Sequence, residues 1–184
     1  LIAVCLLSNN NYARVPIESE LVDNLPPSSF SASTFDGPDC NPANARISSG
    51  ILQAWCVVDQ GAGGNNDRNA YLQIDFIQPR QLTRITTYGR DCCGANLQWV
   101  TSYRFQYSVD GLNFYNASNA NGAVIFTGNT DVYTGANSVF NEVIIAKYVK
   151  IIPYTKNNWK SMKVEIFGYD HPCQYKYGGD WLLV

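Results

Sequence analysis

The chain is short of charge. Only 15% of its 184 residues are Asp, Glu, Lys or Arg, against about 25% in an ordinary globular domain. Thirteen basic residues face fifteen acidic ones, a formal net charge of -2, so no global basic field draws the chain onto nucleic acid. Histidine occurs once, as His171 beside Pro172 and Cys173, which leaves general-base chemistry a single imidazole and no imidazole among the central loops. No two cysteines form a C-x-x-C pair, which argues against a tetrahedral zinc site. The longest apolar run, residues 1–7, falls short of the ~20 residues of a membrane-spanning helix. Internal repeats, charge runs and helical periodicity are also missing.

Apolar residues make up 46% of the chain, with 12 Tyr and 14 Gly, enough for one domain with a large core. Period-two alternation is the dominant pattern. Leu72, Ile74 and Phe76 alternate with Gln73 and Asp75; Tyr103, Phe105 and Tyr107 with Arg104 and Gln106; Met162, Val164 and Ile166 with Lys163 and Glu165; Val149 and Ile151 flank Lys150. Each reads as a half-buried strand. Asp110-Gly111 between aromatic-rich strands signals a hairpin. Many short strands without helical crossovers predict an all-β antiparallel sandwich or barrel.

Four polar stretches interrupt the strands: residues 35–45, 57–70, 88–98 and 154–161. Long loops on a compact β scaffold are where binding residues collect. Asp36 and Asp39 in the first, with Asp59, Asn65, Asn66 and Asp67 in the second, offer the oxygen ligands a calcium ion takes, though not at EF-hand spacing. Such carboxylates cap turns or hold calcium more often than they cleave glycosides. Arg68, Arg90, Trp99 and Trp159, joined by Asp36 and Asp67, combine flat apolar faces with directional hydrogen-bonding groups, the pairing a sugar requires. The six cysteines, Cys5, Cys40, Cys56, Cys92, Cys93 and Cys173, read as disulfides of a secreted or cell-surface protein. Asn116-Ala117-Ser118 is a glycosylation sequon and agrees with that compartment. The apolar ends, residues 1–7 and 181–184, suggest intrachain packing or, alternatively, a homo-oligomeric contact.

A series of short blocks in order carries a family resemblance: Ser29-Phe30-Ser31-Ala32-Ser33, Ala45-Arg46-Ile47, Ala54-Trp55-Cys56, Tyr71-Leu72-Gln73-Ile74-Asp75, Gly89-Arg90, Trp99-Val100-Thr101-Ser102-Tyr103, Ala146-Lys147-Tyr148-Val149-Lys150-Ile151 and Val164-Glu165-Ile166-Phe167-Gly168. Together they resemble the discoidin domains, also called coagulation factor C-type domains, over residues 21–168. The resemblance implies a jelly-roll β-sandwich of a five-stranded and a three-stranded antiparallel sheet, with neighbouring termini and ligand-holding loops at the opposite end. It divides the chain into an N-terminal extension (1–20), the domain (21–173) and a C-terminal tail (174–184). Members are non-enzymatic adhesion or recognition modules for glycans, phospholipid headgroups or proteins; they need no cofactor, and some carry calcium.

The resemblance also implies a bridge between Cys5 and Cys173, closing the chain ends. Cys40 and Cys56 then face Cys92 and Cys93, because bridging sequence neighbours is geometrically poor. Which pairs with which stays open, and the family points Cys56 towards the Cys92/Cys93 loop. By the same resemblance Trp55, Trp99 and Trp159 support the loop bases, and Arg90 anchors to a carboxylate or contacts ligand. Coagulation-type members insert paired apolar loop tips into membranes. Here Val57-Val58 and Leu97 are the candidates, and their acidic and amide neighbours rank acidic-lipid binding below glycan or glycoprotein binding.

Overall fold

The computed structural model describes residues 17–58, 68–92, 94 and 96–169, together with the strand backbones at 175–177 and 180–182. Cys5, Cys93, Cys173, His171, Asp59, Asn65, Asn66 and Asp67 lie outside the described residues, as do residues 1–7 and the side chains of residues 181–184. The expectations that rest on them, including the Cys5–Cys173 bridge, fall there too.

The fold is an all-β jelly roll of strands β1 (Ser19–Glu20), β2 (Phe30–Ala32), β3 (Trp55–Cys56), β4 (Leu72–Tyr88), β5 (Arg90–Cys92), β6 (Asn96–Ser108), β7 (Tyr115–Asn116), β8 (Phe126–Thr127), β9 (Ala136–Asn157) and β10 (Ser161–Tyr169), followed by the hairpin β11 (Tyr175–Tyr177) and β12 (Asp180–Leu182). Helix among the described residues is limited to three single 3-10 turns, each opened by a proline whose missing N–H costs nothing at that position. The main ladder runs β1-β10-β4-β9-β6-β5. Two strands are long enough to serve both faces of the sandwich. The first part of β4 pairs β2 and the second part pairs β10, while β9 pairs β4 through both parts and then β6. The register of β4 against β9 breaks between Asp75 and Arg80, where Ile77 takes φ 70°.

The alternation read in the sequence sets the core. Leu72, Ile74, Phe76, Tyr103, Phe105, Val149, Ile151, Met162, Val164 and Ile166 are all fully buried in one cluster. At about 1.5–3 kcal/mol for each large apolar side chain, this cluster outweighs any single loop contact. Phe105, Phe126 and Phe140 interlock at its centre, with ring centroids 4.8 to 6.4 Å apart. The Asp-Gly turn also forms as expected. Asp110 Oδ1 accepts from the N–H groups of Leu112 and Asn113 and from the Ser108 hydroxyl, Gly111 sits at φ 75°, and β7 returns against β6.

One strand departs from its pattern. Lys163 and Glu165 in β10, expected on a solvent face, are buried. The segment before the first core strand lies across Glu165, whose carboxylate accepts the N–H groups of Leu21, Val22 and Asp23 at 2.7 to 3.1 Å. Burial pushes this carboxyl up to about 7, against the opposing pull of those N–H bonds. β1 pairs β10, Ser19 opposite Gly168, so the first and last strands of the sandwich lie side by side.

Candidate functional site

Strand register decides where the loops go. Ala32 faces Leu72, Leu72 faces Ile151, Thr87 faces Ala136, Tyr88 faces Lys163, Cys56 faces Ser161 and Trp99 faces Asn157. The segments beyond these pairs therefore leave the sandwich at one end and form a crown. Its loops are shorter than the sequence suggests. Residues 88–98 close into the β5–β6 hairpin, with Arg90 opposite Gln98, and β9 runs on to Asn157, leaving a short turn before β10. Residues 35–45 are stapled by two 3-10 turns. Asn41 Oδ1 accepts Ala43 N–H, and Asn44 Nδ2 donates to the carbonyls of Pro38 and Asp39.

The base of the crown is a small cluster of Cys40, Ala54 and Cys56, with half-buried Trp159 packed on it. Cys40 and Cys56 are bonded to each other. The expectation that they face Cys92 and Cys93 is therefore corrected: the 3-10 turn Pro38–Cys40 lies against β3, where Asp36 N–H donates to Cys56 O and Ala54 N–H to Asp39 O. Cys92 is buried outside this bridge.

Arg90 is corrected as well. It is 8% exposed, and its guanidinium is spent inside the base: Nη1 lies 3.1 Å from Cys40 Sγ and 3.2 Å from Cys56 Sγ, and Nε donates to Leu52 O at 2.5 Å. Its partners are sulfur and carbonyl rather than a carboxylate, and it stands beneath the rim rather than on it. Asp91 N–H donates to Ile51 O, which ties the β5–β6 hairpin to the same loop. Trp159 Nε1 donates to Val57 O and Trp55 Nε1 to Thr34 O. The tryptophans thus brace loop backbones. Gly89 is required here, since a Cβ would meet Gln98 O at 2.7 Å and both Trp99 Cβ and Val132 Cα at 2.9 Å.

Val132 belongs to a fifth segment, between β8 and β9 and outside the four polar stretches. Buried Asn129 fastens it, accepting from the Thr87 hydroxyl and donating to the carbonyls of Thr87 and Thr134, each at 2.8 Å. Asp131 caps the turn by accepting the Thr134 and Tyr133 N–H groups, which holds its carboxyl below the usual range. Exposed Tyr133 donates its hydroxyl to Asp91 Oδ2 at 2.8 Å, a bond that raises the phenol's pKa. The signal available in sequence was Asn129-Thr130-Asp131, a run of turn-forming side chains.

The rim above this base carries exposed Phe35, Asp36, Asp39, Ile51, Leu52 and Tyr133. Arg68 stands in the crown segment just before β4, and its guanidinium lies 5.2 Å from the ring centroid of Tyr154 on β9. Trp99 is half-buried beside Gly89. Val57 is fully buried, and Leu97 is half-buried with its carbonyl accepting from Asn157 and Asn158, so neither forms an apolar loop tip. Among the described residues no three acidic, histidine or cysteine side chains gather as a metal-ligand set.

The F5/8 type C domain family model matches residues 29–166. The chain is 32% identical to coagulation factor V of Bos taurus over 159 residues, covering 84% of this chain and 7% of that protein. The curated relatives it matches are much longer than this chain. Among solved structures, discoidin II from Dictyostelium discoideum superposes with a TM-score of 0.56 at 25% identity, over 76% of this chain and 53% of that one. A family 32 carbohydrate-binding module from C. perfringens, in complex with galactose, superposes with a TM-score of 0.59 at 17% identity, over 82% of this chain and 99% of that one, a likeness of fold. The jelly roll, the crown at one end and the family match over most of the chain agree: the chain belongs to the F5/8 type C domain family.

Proposed function

We propose that this chain is an extracellular, non-enzymatic recognition module whose crown binds a glycan, free or carried on a glycoprotein. The observation that carries this reading is the fixed base. Arg90 joins Leu52 O to both sulfurs of the Cys40–Cys56 bridge, so the rim above it loses little freedom on binding. On that rim Phe35 and Tyr133 offer flat faces for sugar C–H groups, while Asp36 and Asp39 accept from hydroxyls. The contact is non-covalent, with no reaction step. The disulfide supports an oxidising compartment, and the galactose-bound module shows a sugar held by a protein of this fold.

A glycan array run with and without chelator tests the proposal. A defined set of bound sugars, lost in folded Phe35→Ala and Asp36→Asn variants, supports it; an empty array in both conditions contradicts it. The crown contact needs no ion, so chelation leaves it intact. A signal abolished by chelator would instead place calcium, held by Asp36, Asp39 and the 57–70 loop, within the contact.

Acidic-lipid binding is the second reading, favoured by Ile51 and Leu52, which stand side by side at 56% and 57% exposure. Charge weighs against it. Asp36, Asp39, Asp91 and Asp131 line the rim, and the Arg90 guanidinium beneath them is buried, so an anionic surface meets carboxylates there. Association with phosphatidylserine vesicles, lost in Leu52→Asp, would reverse the ranking.

A further inference from the structure

The flank of the sandwich carries a second surface with the opposite charge. Lys150 on β9 lies opposite Gln106 on β6 and Gln73 on β4, and Arg104 on β6 lies opposite Ile152. Arg104 and Lys150 are therefore diagonal neighbours on one sheet face, about 7–8 Å apart in such a ladder. Arg68 completes the row, since Arg104 Nη2 reaches the Arg68 carbonyl at 3.5 Å.

Each cation is set against an aromatic ring or left short of partners. Lys150 Nζ lies 4.4 Å from the Tyr71 ring centroid and 4.0 Å from that of Phe114. The Arg68 guanidinium covers Tyr154. Arg104 Nε is buried with no hydrogen-bond partner among the described residues. Among the described residues none of the three forms an ion pair, unlike Arg84, which pairs with Glu18. Asp75, opposite Tyr148 and so diagonal to Lys150 on the same face, puts one carboxylate at the end of the basic row.

We propose that this face, around Arg68, Arg104 and Lys150, docks a sulfated polysaccharide. Three like charges in a row on a chain of net charge -2 repel one another and are relieved by an extended polyanion. The face is a sheet surface rather than a pocket, which suits a polymer laid across it. Sulfates meet the guanidinium and ammonium groups, two of which are held in place by the Tyr71, Phe114 and Tyr154 rings. The Cys40–Cys56 bridge supports an oxidising extracellular compartment, where such polymers occur. Its charged side chains are not those of the rim around Phe35 and Tyr133, and the contact does not depend on the crown's ligand.

Heparin is the probe, titrated against the full chain at several salt concentrations. The proposal expects binding that weakens with salt, drops about fivefold in Lys150→Gln or Arg104→Gln, and loses about one from the log–log salt slope per cation removed. Arg84→Ala removes the same charge elsewhere and leaves heparin affinity unchanged, as does Phe35→Ala in the crown. Desulfated heparin binds weakly. The proposal is overturned if Arg84→Ala weakens heparin as much as Lys150→Gln, if desulfated heparin or duplex DNA binds equally well, or if Arg68→Gln/Arg104→Gln/Lys150→Gln retains full affinity. Should the triple variant melt early, Lys150→Gln with an unchanged melting temperature decides alone.

Discussion

The body and the crown are held by different physics. In the body, a continuous cluster from Leu21 to Ile166 excludes water along both long strands. In the crown, Ala45, Trp55 and Val57 reach down into that cluster, and the separate apolar set above it is only Cys40, Ala54 and Cys56 with Trp159 against it, too little area to order several loops at ~25 cal/mol per Å². A disulfide, a buried guanidinium and side-chain caps take over. The difference teaches that the scaffold is specified by pattern and the binding end by individual residues, so damage to the two should separate.

The strongest way to break the comparison is to cut the body. Phe105→Ala, at the centre of the Phe126 and Phe140 contacts, is expected to cost about 3–5 kcal/mol and to lower the denaturation midpoint of crown and body together in urea monitored by near-UV signal. Replacing Cys40 and Cys56 with Ser comes next. A bridge spanning 16 residues contributes about 3 kcal/mol on the chain-entropy account. Hydrogen exchange should then quicken in residues 38–56 well below global unfolding, while the β4–β9 ladder keeps its protection.

Glu165 sharpens the comparison from the body's side. Its carboxyl titrates near 7 when folded, above the ordinary 4.5, so the native state holds this proton longer than the unfolded chain. Its contribution to stability is therefore full below about 4.5, is lost as pH rises towards 7, and is flat above. Urea midpoints across that range should fall in the wild type and lose this slope in Glu165→Gln, with crown exchange unaffected. The smallest effect is at the bend of β4. Ile77, β-branched and at φ 70°, occupies backbone space that favours glycine, so Ile77→Gly should raise stability by up to about 1 kcal/mol without touching sugar binding.

Where side-chain alternation alone decides burial, the sequence was readable. Leu72-Ile74-Phe76 and Tyr103-Phe105 stand inward as the period requires, and the Asp110-Gly111 turn forms where its residues demand. β10 broke the pattern because its outer face is covered by residues 144 and 143 positions earlier, Leu21 and Val22, a contact no local period encodes. The crown was legible as a place and not as a mechanism. Polarity marked its loops, but the pairing of Cys40 with Cys56 follows from a 3-10 turn laid against β3, and Arg90's partners are sulfurs and a carbonyl that spacing cannot reveal. Arg68 lies in a crown segment, and that its side chain turns to Tyr154 is not encoded by its neighbours in sequence. Tyr133 was overlooked because its loop is short and its anchor, Asn129, lies on the far side of the turn from it.

The most direct test of a preformed binding crown is amide shift mapping of the full chain during titration with an array-selected glycan. The account predicts perturbations confined to residues 35–37, 39, 51–52, 91, 131–133 and 159, with the β-strand body unmoved. Shifts centred on the Asp110 turn or spread through the body would contradict it.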